Sequence, residues 1–268
     1  MLNTIGFLGC GNMGGAIARA VCKAADPQNV WLANRTAAKA EALATELGCN
    51  TTINDEVAGR CDLIFLAVKP QMMEELLAPL RFTLAERPSR FVLCSMAAGL
   101  SIARIQEMAG SDCPVIRIMP NTPASGGAGM IQYCTSNVTA EEEAEFLKLM
   151  APAGRLDAVP EGLIDAASCV SGCGPAWVYQ FIEALADGGV ACGLPRAKAQ
   201  EYAAQMVLGS AKLVLESGQH PGALKDAVCS PGGSTIQGVR VLEEHGLRGA
   251  VMDAVIASYN KTKEMGKG

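Results

Sequence analysis

The chain has 268 residues, half of them hydrophobic and 18% charged, a balance that builds packed cores rather than disordered segments. A net charge of −5 without a basic cluster excludes nucleic acid and anionic membrane surfaces as expected partners. The length accommodates one large or two modest domains.

The stretch Met1-Leu-Asn-Thr-Ile-Gly6 has no basic segment, so no secretory signal is expected there. The longest uncharged runs, 118–140 and 166–182, contain Pro, Asn, Ser or Gly. They read as loops and buried helix, and no membrane span is expected. Eleven cysteines lie scattered without a C-x-x-C pair, and His220 and His245 are remote from Cys169 and Cys173, the closest two. Reduced thiols packed as small hydrophobes are expected, in a cytoplasmic protein without a metal site.

Short apolar runs at 4–8, 30–33, 63–68, 91–95, 115–118 and 130–134 read as strands. Helical patterns lie between them, as in Met13, Ala16, Ile17, Ala20 and Val21. Thr139 and Glu142 form a capping box for a helix over 140–151. This alternation predicts an α/β domain over 1–159, with a parallel, doubly wound sheet of the Rossmann type. After Pro160 the strand signals stop, and 160–268 reads as an all-α domain. Its helices are expected at 163–190, 196–217, 221–228, 234–245 and 247–265. The segment 166–182 is apolar nearly all round, and a helix of that kind needs cover on every side. A second copy of the chain is the expected cover, so this half is read as a dimerisation domain.

Leu8 ends the first strand, and Gly9-Cys10-Gly11-Asn12-Met13-Gly14 follows before a helix. This G-x-G-x-x-G stands in the strand–turn–helix setting of a dinucleotide fingerprint: the glycines give the tight turn, the approach to pyrophosphate and close helix packing. An NAD enzyme commonly carries an acid about 20 residues further on. Here the second strand ends in Asn34-Arg35-Thr36, and no acid occurs between Asp26 and Glu41. A guanidinium flanked by an amide and a hydroxyl suits a 2′-phosphate, which favours NADPH over NADH. Two further strand ends, Ala67-Val68-Lys69-Pro70 and Ser95-Met96-Ala97-Ala98-Gly99, point to the same crevice. Lys69 reads equally well as a phosphate contact or as a solvated side chain.

Near the other end, Ser230-Pro231-Gly232-Gly233-Ser234-Thr235 opens the helix carrying Ile236, Val239 and Leu242. Small residues there let backbone N–H groups converge on an anion at a helix start. An ordinary capped turn would use the same residues.

The chain resembles the pyrroline-5-carboxylate reductase family along essentially its whole length. The resemblance rests on Gly9 to Gly14, Ala67 to Pro70, Met119-Pro-Asn-Thr-Pro123, Ser171-Gly-Cys-Gly-Pro-Ala176, Asp187-Gly-Gly189, Gly193-Leu-Pro195 and the stretch Leu224 to Ile236. Cys173, Ala227 and Ser234 stand where relatives commonly carry Ser, Asn, and Thr or Ala. None of these departures removes a group assigned to chemistry. The resemblance implies reduction of 1-pyrroline-5-carboxylate to L-proline, by homodimers that can assemble into decamers. It implies substrate contacts at Glu161, Ser234 and Thr235, in a site between subunits. Ser230, Gly232 and Gly233 complete the expected amide cradle, and Thr235 is the expected catalytic residue. Implied cofactor contacts are the 8–13 loop, Asn34, Arg35, Asn54, Ala67 to Pro70, and Met96 to Ala98.

A β-hydroxyacid dehydrogenase would share the two-domain layout but needs a Lys on the interdomain helix, and no Lys occurs between Lys148 and Lys198. Other imine reductases, or a sensing protein with a dead site, are the remaining alternatives.

Overall fold

The computed structural model describes residues 2–265, which pack as two compact units. The first holds residues up to Cys173 together with the chain from Ser258 onward; the second is Gly174–Ala257.

The first unit begins β1 (Ile5–Leu8), α1 (Asn12–Ala24), β2 (Val30–Ala33), α2 (Ala37–Leu47), β3 (Asn50–Thr51) and α3 (Asn54–Arg60). Next come β4 (Leu63–Leu66), α4 (Met73–Leu77), α5 (Arg81–Ala85), β5 (Val92–Ser95) and α6 (Ile102–Ala109). It continues through β6 (Val115–Met119), β7 (Gly129–Ser136), α7 (Ala140–Met150), β8 (Gly154–Ala158) and α8 (Glu161–Ser171). The strands form one eight-stranded sheet in the order β3-β2-β1-β4-β5-β6-β7-β8. Burial is continuous along β1, β4 and β5, as expected of central strands covered by helices on both faces. Phe7 and Phe65 stack across β1 and β4 with ring centroids 4.5 Å apart.

Two features depart from expectation. The sheet is mixed: β7 runs antiparallel to β6, while every other pair is parallel. A parallel crossover takes a dozen or more residues. Residues 120–128, built around the 3-10 turn Thr122–Gly126 and the left-handed Gly127, join these two strands, so the chain simply folds back. The expected continuous helix over 163–190 is also two helices. Gly172 tightens the end of α8, its N–H on the Ser168 carbonyl at 2.7 Å, and Pro175 suits the start of the next helix because it needs no N–H there.

The expected boundary at residue 160 falls between β8 and α8. Although α8 lies beyond it, this helix packs with the first unit on β7, with Ile164 and Cys169 buried.

The second unit consists of α9 (Gly174–Ala191), α10 (Arg196–Ser217), α11 (Pro221–Ala227), α12 (Ser234–Glu244) and the first part of α13 (Leu247–Met265). Helices α9 and α10 pack closely over small residues, burying Ala186, Ala199 and Ala203. Larger apolar side chains stay outside: Leu208 is 61% exposed, Leu215 73% and Met252 61%. His220 caps α11, its Nδ1 accepting the Gly222 N–H at 3.0 Å. Among the described residues no helix is long and apolar enough to cross a membrane.

Candidate active site

Strand order reverses around β1, whose neighbours β2 and β4 lead in opposite directions across the sheet. Ligands of open α/β sheets lie beyond the carboxyl ends of strands at such a point. The fingerprint turn is there. Gly9 has φ +114°, and a Cβ on it would stand 2.5 Å from the Ala67 carbonyl oxygen. A Cβ on Gly14 would run into the Gly9 carbonyl. Only glycine lets β1, β4 and α1 converge this closely.

Above Gly11 there is open space, and no side chain caps α1. No acid sits in its first turn. The free N–H groups and the helix dipole are therefore left to an anion, as a dinucleotide pyrophosphate requires. Asn12 is exposed and Met13 half-buried. The Cys10 N–H donates to Asn34 Oδ1 at 2.9 Å, and Asn34 Nδ2 donates to the Thr36 carbonyl at 2.9 Å. Burial, with a smaller contribution from Cys49, pushes the Cys10 thiol up to about 11. It stays neutral at pH 7 and adds no negative charge beside a pyrophosphate.

A cavity of about 710 Å³ opens past β2, lined by Asn34, Arg35, Thr51, Ile53, Asn54 and Pro79 among others. Asn34, Arg35 and Asn54 are thus brought together as expected cofactor residues. Arg35 is exposed, and among the described residues it has no ion pair. Acids also line the cavity: Glu41, Asp55 and Glu75. Asp55 is occupied by the Thr83 hydroxyl at 2.5 Å. Thr36 stands at the N-cap of α2, outside the lining.

The other expected cofactor residues divide by burial. Ala67, Val68 and Pro70 are half-buried, and Lys69 is exposed. Met96 and Ala98 are half-buried. Leu8 and Ala97 are each 1% exposed, so they shape the crevice from beneath. The Ala67 N–H donates to the Leu8 carbonyl at 2.9 Å, which extends the β1–β4 pairing to the crevice edge.

Glu161 opens α8, yet it caps a different helix. Its Oε1 accepts the Ile102 N–H at the start of α6 at 2.6 Å and lies 3.5 Å from Arg117 Nη1. Arg117 also pairs with Asp165 at 2.5 Å. Sequence reasoning passed over Arg117 and Asp165. The available signal was a lone cation inside the apolar run Val115-Ile-Arg-Ile-Met119, because a buried charge demands partners.

In the second unit, Ser230 to Gly233 form a turn closed by the Gly233 N–H on the Ser230 carbonyl at 3.0 Å. Gly232 holds φ +70° and Gly233 is the N-cap of α12. No side chain caps that helix and no acid lies in its first turn. Ser230, Ser234 and Thr235 are exposed. A capped turn would have closed this helix start, whereas here the Ser234 and Thr235 N–H groups and three hydroxyls remain open to an anion.

A glycine-cradled nucleotide crevice on a Rossmann-type sheet, followed by a helical unit, defines a two-part NAD(P)H-dependent oxidoreductase. A model described as NADP oxidoreductase, coenzyme F420-dependent, matches residues 4–99, and one described as pyrroline-5-carboxylate reductase dimerisation matches 161–265. Pyrroline-5-carboxylate reductase of Escherichia coli is 42% identical over 271 residues, covering 100% of both chains. That of Synechocystis is 46% identical over 215 residues, covering 80% of this chain and 79% of its own. A crystal structure of Plasmodium falciparum pyrroline carboxylate reductase with NADP bound superposes with a TM-score of 0.89 at 35% identity, covering 99% of each chain. The chain belongs to the pyrroline-5-carboxylate reductase family.

Proposed function

We propose that this protein reduces the C=N bond of 1-pyrroline-5-carboxylate to give L-proline, the last step of proline biosynthesis, and that it prefers NADPH. The full-length likeness to curated reductases carries this reading. The open starts of α1 and α12 agree with it, one suited to a pyrophosphate and the other to a small carboxylate.

The reaction adds a hydride to the ring carbon and a proton to the ring nitrogen, leaving a secondary amine. NADPH, when bound, supplies the hydride. The chain's own residues orient and hold. Backbone N–H groups at Ser234 and Thr235, with Ser230, Gly232 and Gly233 shaping the turn, donate to the substrate carboxylate without a cationic side chain. The Thr235 hydroxyl hydrogen-bonds the ring nitrogen and assists its protonation. Glu161 faces the substrate with whatever of its carboxylate the Ile102 cap leaves free. At the cofactor end, the 8–13 loop receives the pyrophosphate, and Asn34, Arg35 and Asn54 receive the phosphorylated ribose and its base. Ala67 to Pro70 and Met96 to Ala98 flank the nicotinamide end.

The exposed apolar faces of α9, α10 and α13 support a homodimer formed through the helical half. Assembly of dimers into a decamer extends the same reading. All eleven cysteines are unpaired, which supports the reducing cytoplasm as its location.

A substrate panel tests the reaction. NADPH oxidation with pyrroline-5-carboxylate but not with 2-oxo acids, and no NADP+ reduction with 3-hydroxy acids, supports the proposal. Turnover confined to the hydroxy or oxo acids overturns it.

A further inference from the structure

Strand β6 is apolar apart from Arg117, which is only 2% exposed. A guanidinium so placed needs charged partners, and a well-packed apolar residue would commonly be at least as stable. Its partners are two carboxylates of α8: Asp165 at 2.5 Å and Glu161 at 3.5 Å. Its Nε has no hydrogen-bond partner. The ion pairs therefore achieve something that apolar packing of α8 would not.

What they hold is visible one step further. The Glu161 oxygen facing Arg117 is the one that accepts the Ile102 N–H at 2.6 Å. Ile102 opens α6, and the segment leading into it starts at Met96, directly after β5. Arg117 is also the register partner of Ser95, the last residue of β5. Residues 96–101 are thus pinned at both ends by the surroundings of one arginine. Sheet register fixes the Ser95 end, and Glu161 fixes the Ile102 end.

We infer that Arg117 is a positioning residue for the nicotinamide end of the cofactor: it holds Glu161 on the start of α6 and so sets the 96–101 segment. This rests on the proposed placement of Met96 to Ala98 beside the nicotinamide. The close Gly9–Ala67 approach and the uncapped α1 start fit the crevice to the cofactor.

Binding measurements without substrate test the inference on the full-length protein. NADPH is followed by its dihydronicotinamide fluorescence, and 2′-phospho-ADP-ribose, which lacks the nicotinamide, by competition. Glu161→Gln keeps an acceptor for Ile102 but loses the charge facing Arg117, and its half-exposed position protects folding. In Glu161→Gln and Arg117→Met, NADPH is expected to bind on the order of tenfold more weakly, with 2′-phospho-ADP-ribose unchanged. Arg117→Lys, which keeps the charge but not the fork, is expected to fall between them and the parent protein. Equal weakening of both ligands reduces Arg117 to a structural role and overturns the inference. Unchanged NADPH binding in a folded Glu161→Gln protein also overturns it. Absence of pyrroline-5-carboxylate turnover would defeat the substrate reading alone, since neither binding comparison uses substrate.

Discussion

The backbone N–H of Cys10 is held by the side chain of Asn34, 2.9 Å away, and this bond fixes the fingerprint loop to the end of β2. Asn34 also lines the cavity past β2. One amide therefore shapes the turn and faces the ligand space. Replacing Asn34 by Ala leaves a loop N–H without its partner. Affinity for NADPH is expected to fall about tenfold, the worth of one hydrogen bond of about 1–1.5 kcal/mol. Fluorescence titration reads the change, and the midpoint of thermal unfolding is expected to fall by a few degrees, since the same bond is lost in the free protein.

Arg35 stands exposed on the lining of that cavity without an ion pair among the described residues. Glu41, Asp55 and Glu75 share that lining, so the proposed 2′-phosphate contact rests on this guanidinium. Arg35→Ala is expected to lower kcat/KM for NADPH on the order of tenfold, while NADH changes little. An unchanged ratio between the two cofactors removes Arg35 from phosphate recognition.

Thr235 lies in the uncapped first turn of α12 with its side chain exposed. Thr235→Ala keeps the N–H groups and removes only the hydroxyl. Its kcat/KM for pyrroline-5-carboxylate is expected to fall about a hundredfold, with NADPH affinity preserved. Thr235→Ser, which restores a hydroxyl, is expected to recover most of the loss.

Glu142 supplies a pH test of the sheet domain. Its carboxylate accepts Arg90 Nε at 2.6 Å and the Thr139 N–H at 2.8 Å, closing the capping box of α7. Arg90 first, and then the Thr139 N–H, hold the Glu142 carboxyl below its ordinary value against the opposing effect of burial. A depressed carboxylate stabilises the fold above its unfolded-state value, near about 4.3, and this contribution is lost as pH falls through the folded-state value. Glu142→Gln is expected to cost about 1 kcal/mol at pH 7, and the difference from the parent protein should close in acid. Chemical unfolding at several pH values measures it. A gap that widens on acidification contradicts the assignment.

How much could be read from the sequence depended on the range of the interactions. The fingerprint turn was legible because a positive φ at Gly9 and the contacts of Gly14 leave no other residue possible. The capping box at Thr139 and Glu142 was legible because both partners lie within one helical turn. The direction of β7 was not, since alternation of side chains marks a strand without saying which way it runs. Strand β8 stayed hidden because Gly154–Ala158 lies at the sheet edge with largely exposed side chains and no apolar run. The carboxylates around Arg117 come from α8, Asp165 being 48 residues along the chain, and a pairing across that distance leaves no local pattern. For the loop at 230–235, composition permitted a capped turn or an anion cradle, and the uncapped α12 start supports the second.

The most direct measurement is the reaction itself: purified protein, NADPH and pyrroline-5-carboxylate, with cofactor absorbance and product followed together. NADPH is expected to be consumed in step with the appearance of L-proline, one for one. Consumption without proline, or none at all in protein that binds NADPH, would contradict it.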